Sequence, residues 1–190
     1  AGGARKVVPM IRWALWLLGG LLLGGIVHLA TVLLLPRTAT QDAYTRLAAL
    51  SPVNKVVPLQ APTPDDAPMP FMDPAFAAAV CRYDLAGGPM KFSVPVSQAY
   101  TSVSFYTRNG VAYYAINDRA AGRRVIELDL MTREQRQELP DDEEVTAADR
   151  LIVESPTATG LIMVRALSPE RGLSRMAIQA LAAAQCRVAQ

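Results

Sequence analysis

From Trp13 to Leu35 the chain reads WALWLLGGLLLGGIVHLATVLLL, 23 residues without a charged side chain. Wound as a helix at about 1.5 Å per residue, such a run reaches roughly 34 Å, and a bilayer hydrocarbon core is about 30 Å thick. The pattern predicts a transmembrane helix over residues 13–35. A cleaved signal peptide has a shorter apolar region, about 7 to 15 residues. Although Thr38-Ala39-Thr40 resembles a weak cleavage stretch, a retained anchor is expected. Arg5, Lys6 and Arg12 precede the helix and only Arg37 follows it closely. Cytoplasmic flanks carry the excess of Lys and Arg, and tryptophans favour the headgroup level. With Trp13 and Trp16 at the same end, residues 1–12 are expected in the cytoplasm and the rest of the chain outside it.

Beyond the anchor the periodicity changes several times. Gln41 to Leu50 places Tyr44, Leu47 and Leu50 on one helical face, with Thr40 or Asp42 as cap. Residues 52–74 hold seven of the chain's 14 prolines, which predicts a semi-rigid polyproline spacer; residues 36–74 are read together as juxtamembrane helix and spacer. Asp73-Pro74 is a favoured cap and first-turn pair and predicts a short helix through Phe76, Val80 and Cys81. From Met90 the period becomes two. Lys91 to Val96 reads as an edge strand because Pro95 lacks a ladder donor. Ser102 to Ile116 reads as two strands around Asn109-Gly110, a dipeptide suited to a tight hairpin with positive φ at both turn positions. Arg124 to Leu130 supplies another strand, with Val125 or Ile126, Leu128 and Leu130 as core candidates.

Thr132 to Leu139 has capping-box spacing between Thr132 and Gln135, and the acidic run Asp141 to Glu144 reads as solvated surface. Arg150 to Glu154 and Gly160 to Ala166 are nearly continuous apolar runs, expected as central strands. Ser168-Pro169-Glu170 opens a C-terminal helix to about Ala184, with Leu173, Met176, Ala177, Ala180 and Leu181 at core spacing. The resulting class is α+β: one transmembrane helix, then a small antiparallel sheet or sandwich-like domain with flanking helices over residues 75–190.

Charge and cysteine usage refine this picture. All 17 acidic residues and 16 of the 19 basic residues follow the helix, so the external part is nearly neutral and carries no basic stripe for nucleic acid. Cys81 and Cys186, both expected outside, are a disulfide candidate in an oxidising compartment; two separate buried thiols are the alternative. Neither lies in a Cys-x-x-Cys or Cys/His cluster, which argues against redox and zinc chemistry.

The proline-rich stretch, Asp73-Pro74, Cys81-Arg82-Tyr83-Asp84-Leu85 and the hairpin ending in Ala115-Ile116-Asn117-Asp118-Arg119 together resemble small alphaproteobacterial membrane proteins of domain of unknown function 1254, over about residues 37–190. The resemblance implies an anchored, mainly β envelope domain, the short relative of larger two-part β-sandwich proteins, with a complementary module on a partner chain. It implies no established reaction.

Catalytic equipment is sparse. The only histidine, His28, sits inside the predicted anchor, which removes histidine-based triads from the external domain. Asn117, Asp118 and Arg119 leave a strand together and are candidate ligand-binding residues, set against a plain turn-capping role. Gly20 and Gly24 form a small-xxx-small spacing for helix pairing, set against ordinary membrane-helix composition. No metal or cofactor is expected. The favoured reading is a non-enzymatic accessory subunit of an envelope complex, single-pass in a bacterial inner membrane with a periplasmic C-terminal domain and an envelope protein as partner. The alternative is a periplasmic module that binds or hydrolyses cell-wall fragments or small polar molecules.

Overall fold

A computed structural model of the chain describes residues 4–38, 42–63, 65, 67–69, 72–122, 124–139, 151–168 and 174–189. It divides into two compact units, Ala1–Thr40 and Gln41–Gln190. The first is helix α1, Ala4–Thr38. Its stretch Met10–Leu35 is long and apolar enough to cross a membrane, and the large apolar side chains of that stretch are exposed, as lipid-facing residues require. Thr31 donates its hydroxyl to the Val27 carbonyl at 2.8 Å, which satisfies its polar group within the helix. Gly20 and Gly24 leave open surface, where an added Cβ would meet nothing within 4 Å.

The second unit contains two sheets. The larger has the order β1-β2-β8-β4-β5, formed by β1 (Val56–Pro58), β2 (Phe76–Asp84), β8 (Thr159–Leu167), β4 (Thr101–Thr107) and β5 (Ala112–Asn117). The smaller has the order β7-β6-β3-β9, formed by β7 (Leu151–Ser155), β6 (Val125–Thr132), β3 (Met90–Pro95) and β9 (Gln185–Val188). One cluster takes Ala79, Cys81 and Tyr83 from β2, Ile162 and Val164 from β8, and Val103 and Phe105 from β4. To these it adds Met90, Phe92 and Val94 from β3, with Ile126, Leu128 and Leu130 from β6. The inner faces of the two sheets therefore share a core, the arrangement of a β-sandwich. Phe92 and Phe105 meet edge to face across it, with ring centroids 6.4 Å apart. Helix α5 (Ser174–Ala182) packs Ala177 and Leu181 into the same core and lies against β1, β2, β3 and β8.

The expected α+β class, an apolar N-terminal helix followed by a β-rich domain with a few helices, describes this molecule, with local corrections. Phe76 to Asp84 is a strand. β2 lies between β1 and β8, and residues 78–81 are buried in succession, so both faces are covered and the run lacks the alternation that marks a strand in sequence. β3 is internal, between β6 and β9; Pro95 lies at its end, beyond the last residue paired with β9, Ser93. β7 is an edge strand and runs parallel to β6, so the sheets are not wholly antiparallel. Only Gly110 of the Asn109-Gly110 pair has positive φ, at 81°. Gly110 N–H bonds to the Thr107 carbonyl and Thr107 N–H to the Val111 carbonyl, which makes a three-residue hairpin loop with glycine at the left-handed position. The capping box between Thr132 and Gln135 forms at helix α4, Arg133–Gln137. The acidic run 141–144, the Ser168-Pro169-Glu170 helix start beyond Ser168, and Leu173 lie outside the described residues.

Of the proline-rich stretch read as a spacer, Val56–Pro58 pairs with β2 and Leu59 and Met69 pack on the larger sheet, so these described residues are part of the globular unit. Helix α2 (Ala43–Arg46) and the 3₁₀ turn Leu47–Ala49 bury Tyr44 and Leu47 against Val80 and Leu161 on the outer face of the larger sheet, joined by Leu59 and Met69. Tyr44 lies beneath two guanidiniums, those of Arg82 at 4.2 Å and Arg108 at 5.2 Å from its ring centroid. Such contacts contribute about 0.5–1 kcal/mol each at exposed sites. Asn54 holds φ 59° because its amide exchanges two hydrogen bonds with the Asp84 backbone, at 2.9 and 3.2 Å. Amide side chains tolerate this left-handed conformation.

Gly160 marks the tightest packing. A Cβ there would overlap the Tyr83 hydroxyl and the Tyr106 carbonyl, neither of which can move without disturbing the sheets. Gly160→Ala is expected to lower stability by about 1–3 kcal/mol in thermal unfolding of the full chain. Gly87→Ala, which meets nothing within 4 Å, should stay within about 0.5 kcal/mol of the parent. Equal unfolding midpoints for Gly160→Ala and the parent would contradict this packing.

Candidate functional site

The outer face of the larger sheet is only partly covered by α2 and the 3₁₀ turn. Beyond them lies a groove of about 460 Å³, within the roughly 300–1,000 Å³ typical of small-molecule sites. Strand register builds its floor. Ala78 pairs with Arg165, and Arg165 pairs in turn with Ser102, so three side chains from β2, β8 and β4 form one row on this face. Met163 stands in the neighbouring row. Leu59, Met69, Met72, Phe76 and Tyr100 line the rest, with Asp73.

The chemistry is mostly apolar and soft, with three thioethers and two aromatic rings, those of Phe76 and Tyr100, and a few polar groups converge on it. The Arg165 guanidinium lies 3.3 Å from the Met163 sulfur and has no carboxylate within ion-pair distance among the described residues. Asp73 already accepts the Ala75 N–H at 2.9 Å. No cluster of three potential metal ligands occurs among the described residues. The groove therefore offers walls, a cation and hydroxyls, which is equipment for binding.

Asn117, at the end of β5, and Asp118 and Arg119 just beyond it are not in the groove lining. Asn117 pairs with Ser102 in register, yet its side chain accepts the Ala120 N–H at 2.9 Å and caps the single-turn helix α3, Asp118–Ala121. Gly122 ends that turn at φ 63°. Arg119 is exposed, while Asp118 buries one carboxylate oxygen without a hydrogen-bond partner.

A second polar assembly sits inside the core. The Tyr83 hydroxyl lies 3.1 Å from the Tyr113 hydroxyl and 2.9 Å from Ser155 Oγ. Ser155 donates to the Thr157 carbonyl at 2.7 Å, and the Tyr83 proton has Ser155 Oγ at 2.9 Å and the Tyr106 carbonyl at 3.4 Å as acceptors, which leaves Tyr113 to donate to Tyr83. This relay links β5, β2 and β7 across the sandwich. Burial, then the neighbouring Tyr83, raises the Tyr113 hydroxyl well above its ordinary pKa. Sequence periodicity does not reveal the relay, because its members come from three separate strands.

Cys81 on β2 and Cys186 on β9 are brought to disulfide distance, with Cα atoms 6.6 Å apart. They face each other from opposite sheets.

The family described as "Protein of unknown function (DUF1254)" matches residues 53–187. The chain belongs to this family. Among solved structures, 76% of the chain superposes on 32% of the VPA0106 protein from Vibrio parahaemolyticus, at 15% identity and a TM-score of 0.57. An uncharacterized protein from Burkholderia cenocepacia matches 68% of this chain and 37% of its own, at 14% identity and a TM-score of 0.43. The chain thus spans about a third of the length of these solved chains. The Vibrio likeness establishes shared architecture for this DUF1254 domain. No curated protein matches the chain.

The relay gives a pH prediction. The folded state holds the Tyr113 proton more tightly than the unfolded chain, so its contribution is complete below a pH of about 10 and is lost as pH rises above that value. Denaturant midpoints of the full chain should fall between pH 9 and 11 more steeply than those of Tyr113→Phe, which keeps the ring against Phe105. Parallel alkaline losses in the two proteins would remove Tyr113 as the cause.

Proposed function

We propose that this DUF1254 chain is a membrane-anchored, extracytoplasmic binding domain that serves an envelope complex as an accessory subunit and carries out no catalysis itself. One observation carries the reading: a concave, mainly apolar groove on the outer face of the larger sheet with Arg165, Ser102 and Tyr100 in its lining. Concavity with few convergent polar groups is the usual form of a small-molecule site. Among the described residues of the unit, the exposed large apolar side chains Leu50, Val53, Val111, Val125, Met176 and Ile178 come from several elements, with Met176 and Ile178 together on α5.

Placement outside the cytoplasm is supported by the basic residues ahead of the apolar helix and by a cysteine pair at disulfide distance, which such a compartment would oxidise. The inner membrane of a bacterium, with the globular unit in the periplasm, is the location that fits both. The open surface at Gly20 and Gly24 suits helix pairing with the partner.

The test is to purify the full chain from its native membrane into lipid nanodiscs, denature it, and identify the released small molecules by mass spectrometry. Ser102→Trp places a large ring on the groove floor and serves as the blocked form. A compound enriched in the parent and depleted in Ser102→Trp is expected. Identical extracts from the two would argue against ligand binding at this face.

A further inference from the structure

Resting on the binding reading of this groove, we infer that its ligand is a single-chain anionic amphiphile, an acyl chain ending in a carboxylate. The walls set the apolar part. Met69, Met72 and Met163 are unbranched, polarizable side chains that mould to flexible hydrocarbon, and Phe76 with Leu59 continues the apolar lining. About 460 Å³ of space suits one chain.

Arg165 sets the head. Its guanidinium sits on the groove floor beside Ser102 in register, and no carboxylate neutralises it among the described residues. A fork of N–H donors receives a carboxylate or a phosphate in two parallel hydrogen bonds. Asp73 in the same lining decides between them, because its negative charge opposes a doubly charged phosphate more than a singly charged carboxylate. The Ala75 N–H engages only one Asp73 oxygen, so the opposition persists when the ligand is bound.

The full chain, labelled with [methyl-13C]methionine and held in phosphatidylcholine nanodiscs, reports occupancy directly by NMR. Titration with hexanoate and then octanoate should shift the Met69, Met72 and Met163 methyls saturably. Met90 and Met131, buried in the unit, should not move. Each added methylene should tighten binding by about three- to four-fold, the equivalent of roughly 0.8 kcal/mol per buried CH₂. Arg165→Gln should weaken octanoate by at least about five-fold and leave octanol unchanged, while Asp73→Asn should strengthen octanoate.

Octylammonium binding as tightly as octanoate, or Arg165→Gln binding octanoate like the parent, would overturn the inference. So would groove methyls already shifted in phosphatidylglycerol nanodiscs and insensitive to octanoate, since a bilayer lipid would then fill the site. If octanoate fails while Ser102→Trp still depletes an extracted compound, the ligand class is wrong and the binding reading stands. If both fail, the binding reading falls with it.

Discussion

Burial of two sheet faces against each other is the constraint from which the rest of the globular unit follows. Neither sheet can leave Tyr83, Phe92, Phe105, Ile126 and Leu130 in water, since each such side chain yields about 1.5–3 kcal/mol when buried, and all five are essentially inaccessible. The inner residues of β2, β8 and β4 therefore face those of β3 and β6, and the Phe92–Phe105 contact fixes their separation. Cys81 and Cys186 occupy the same interface. Their separation of 105 residues means that a bond between them would restrict the unfolded chain strongly, by roughly 4–5 kcal/mol in the chain-entropy description. β9 is short, and the bond would hold its edge of the smaller sheet to β2.

Once the inner faces are committed to the core, the outer face of the larger sheet becomes the variable surface. Val80 and Leu161 are apolar there and need cover, which Tyr44, Leu47, Leu59 and Met69 supply. Tyr44 between Arg82 and Arg108 anchors one end, and β1 anchors the middle through its pairing with β2. Prolines suit this return path, because a segment lying over a sheet face has few ladder partners for backbone N–H groups. Leu59, Met69 and Met72 stand as walls of the groove whose floor carries Ala78, Arg165 and Ser102. Those three wall residues tie the candidate site to the part of the chain that sequence composition alone would set aside as linker.

Much of the architecture was legible in the sequence for identifiable reasons. The 23-residue uncharged run, the period-two strands from Met90 onward and the Thr132/Gln135 capping box are local signals whose physics does not depend on distant residues. The errors share an opposite character. Phe76–Asp84 resembled a helix start because Asp73-Pro74 is a favoured cap and alanine carries no periodicity; only burial on both faces makes it a strand. The parallel pairing of β7 with β6, and β9 itself, depend on chain partners far away in sequence. The groove was invisible for the same reason, since its residues come from 59 to 165 and meet only through register. Asn117, Asp118 and Arg119 were conspicuous because they are adjacent, and the structure gives Asn117 a capping role.

Cys81 and Cys186 join β2 to β9 across the two-sheet sandwich, and the account of the globular unit turns on that link. Non-reducing proteolysis of the chain isolated from its native membrane, with thiols blocked at lysis, tests it most directly. The expected result is a single cross-linked peptide joining Cys81 to Cys186 that separates on reduction. Recovery of both cysteines as blocked free thiols would contradict the cross-link.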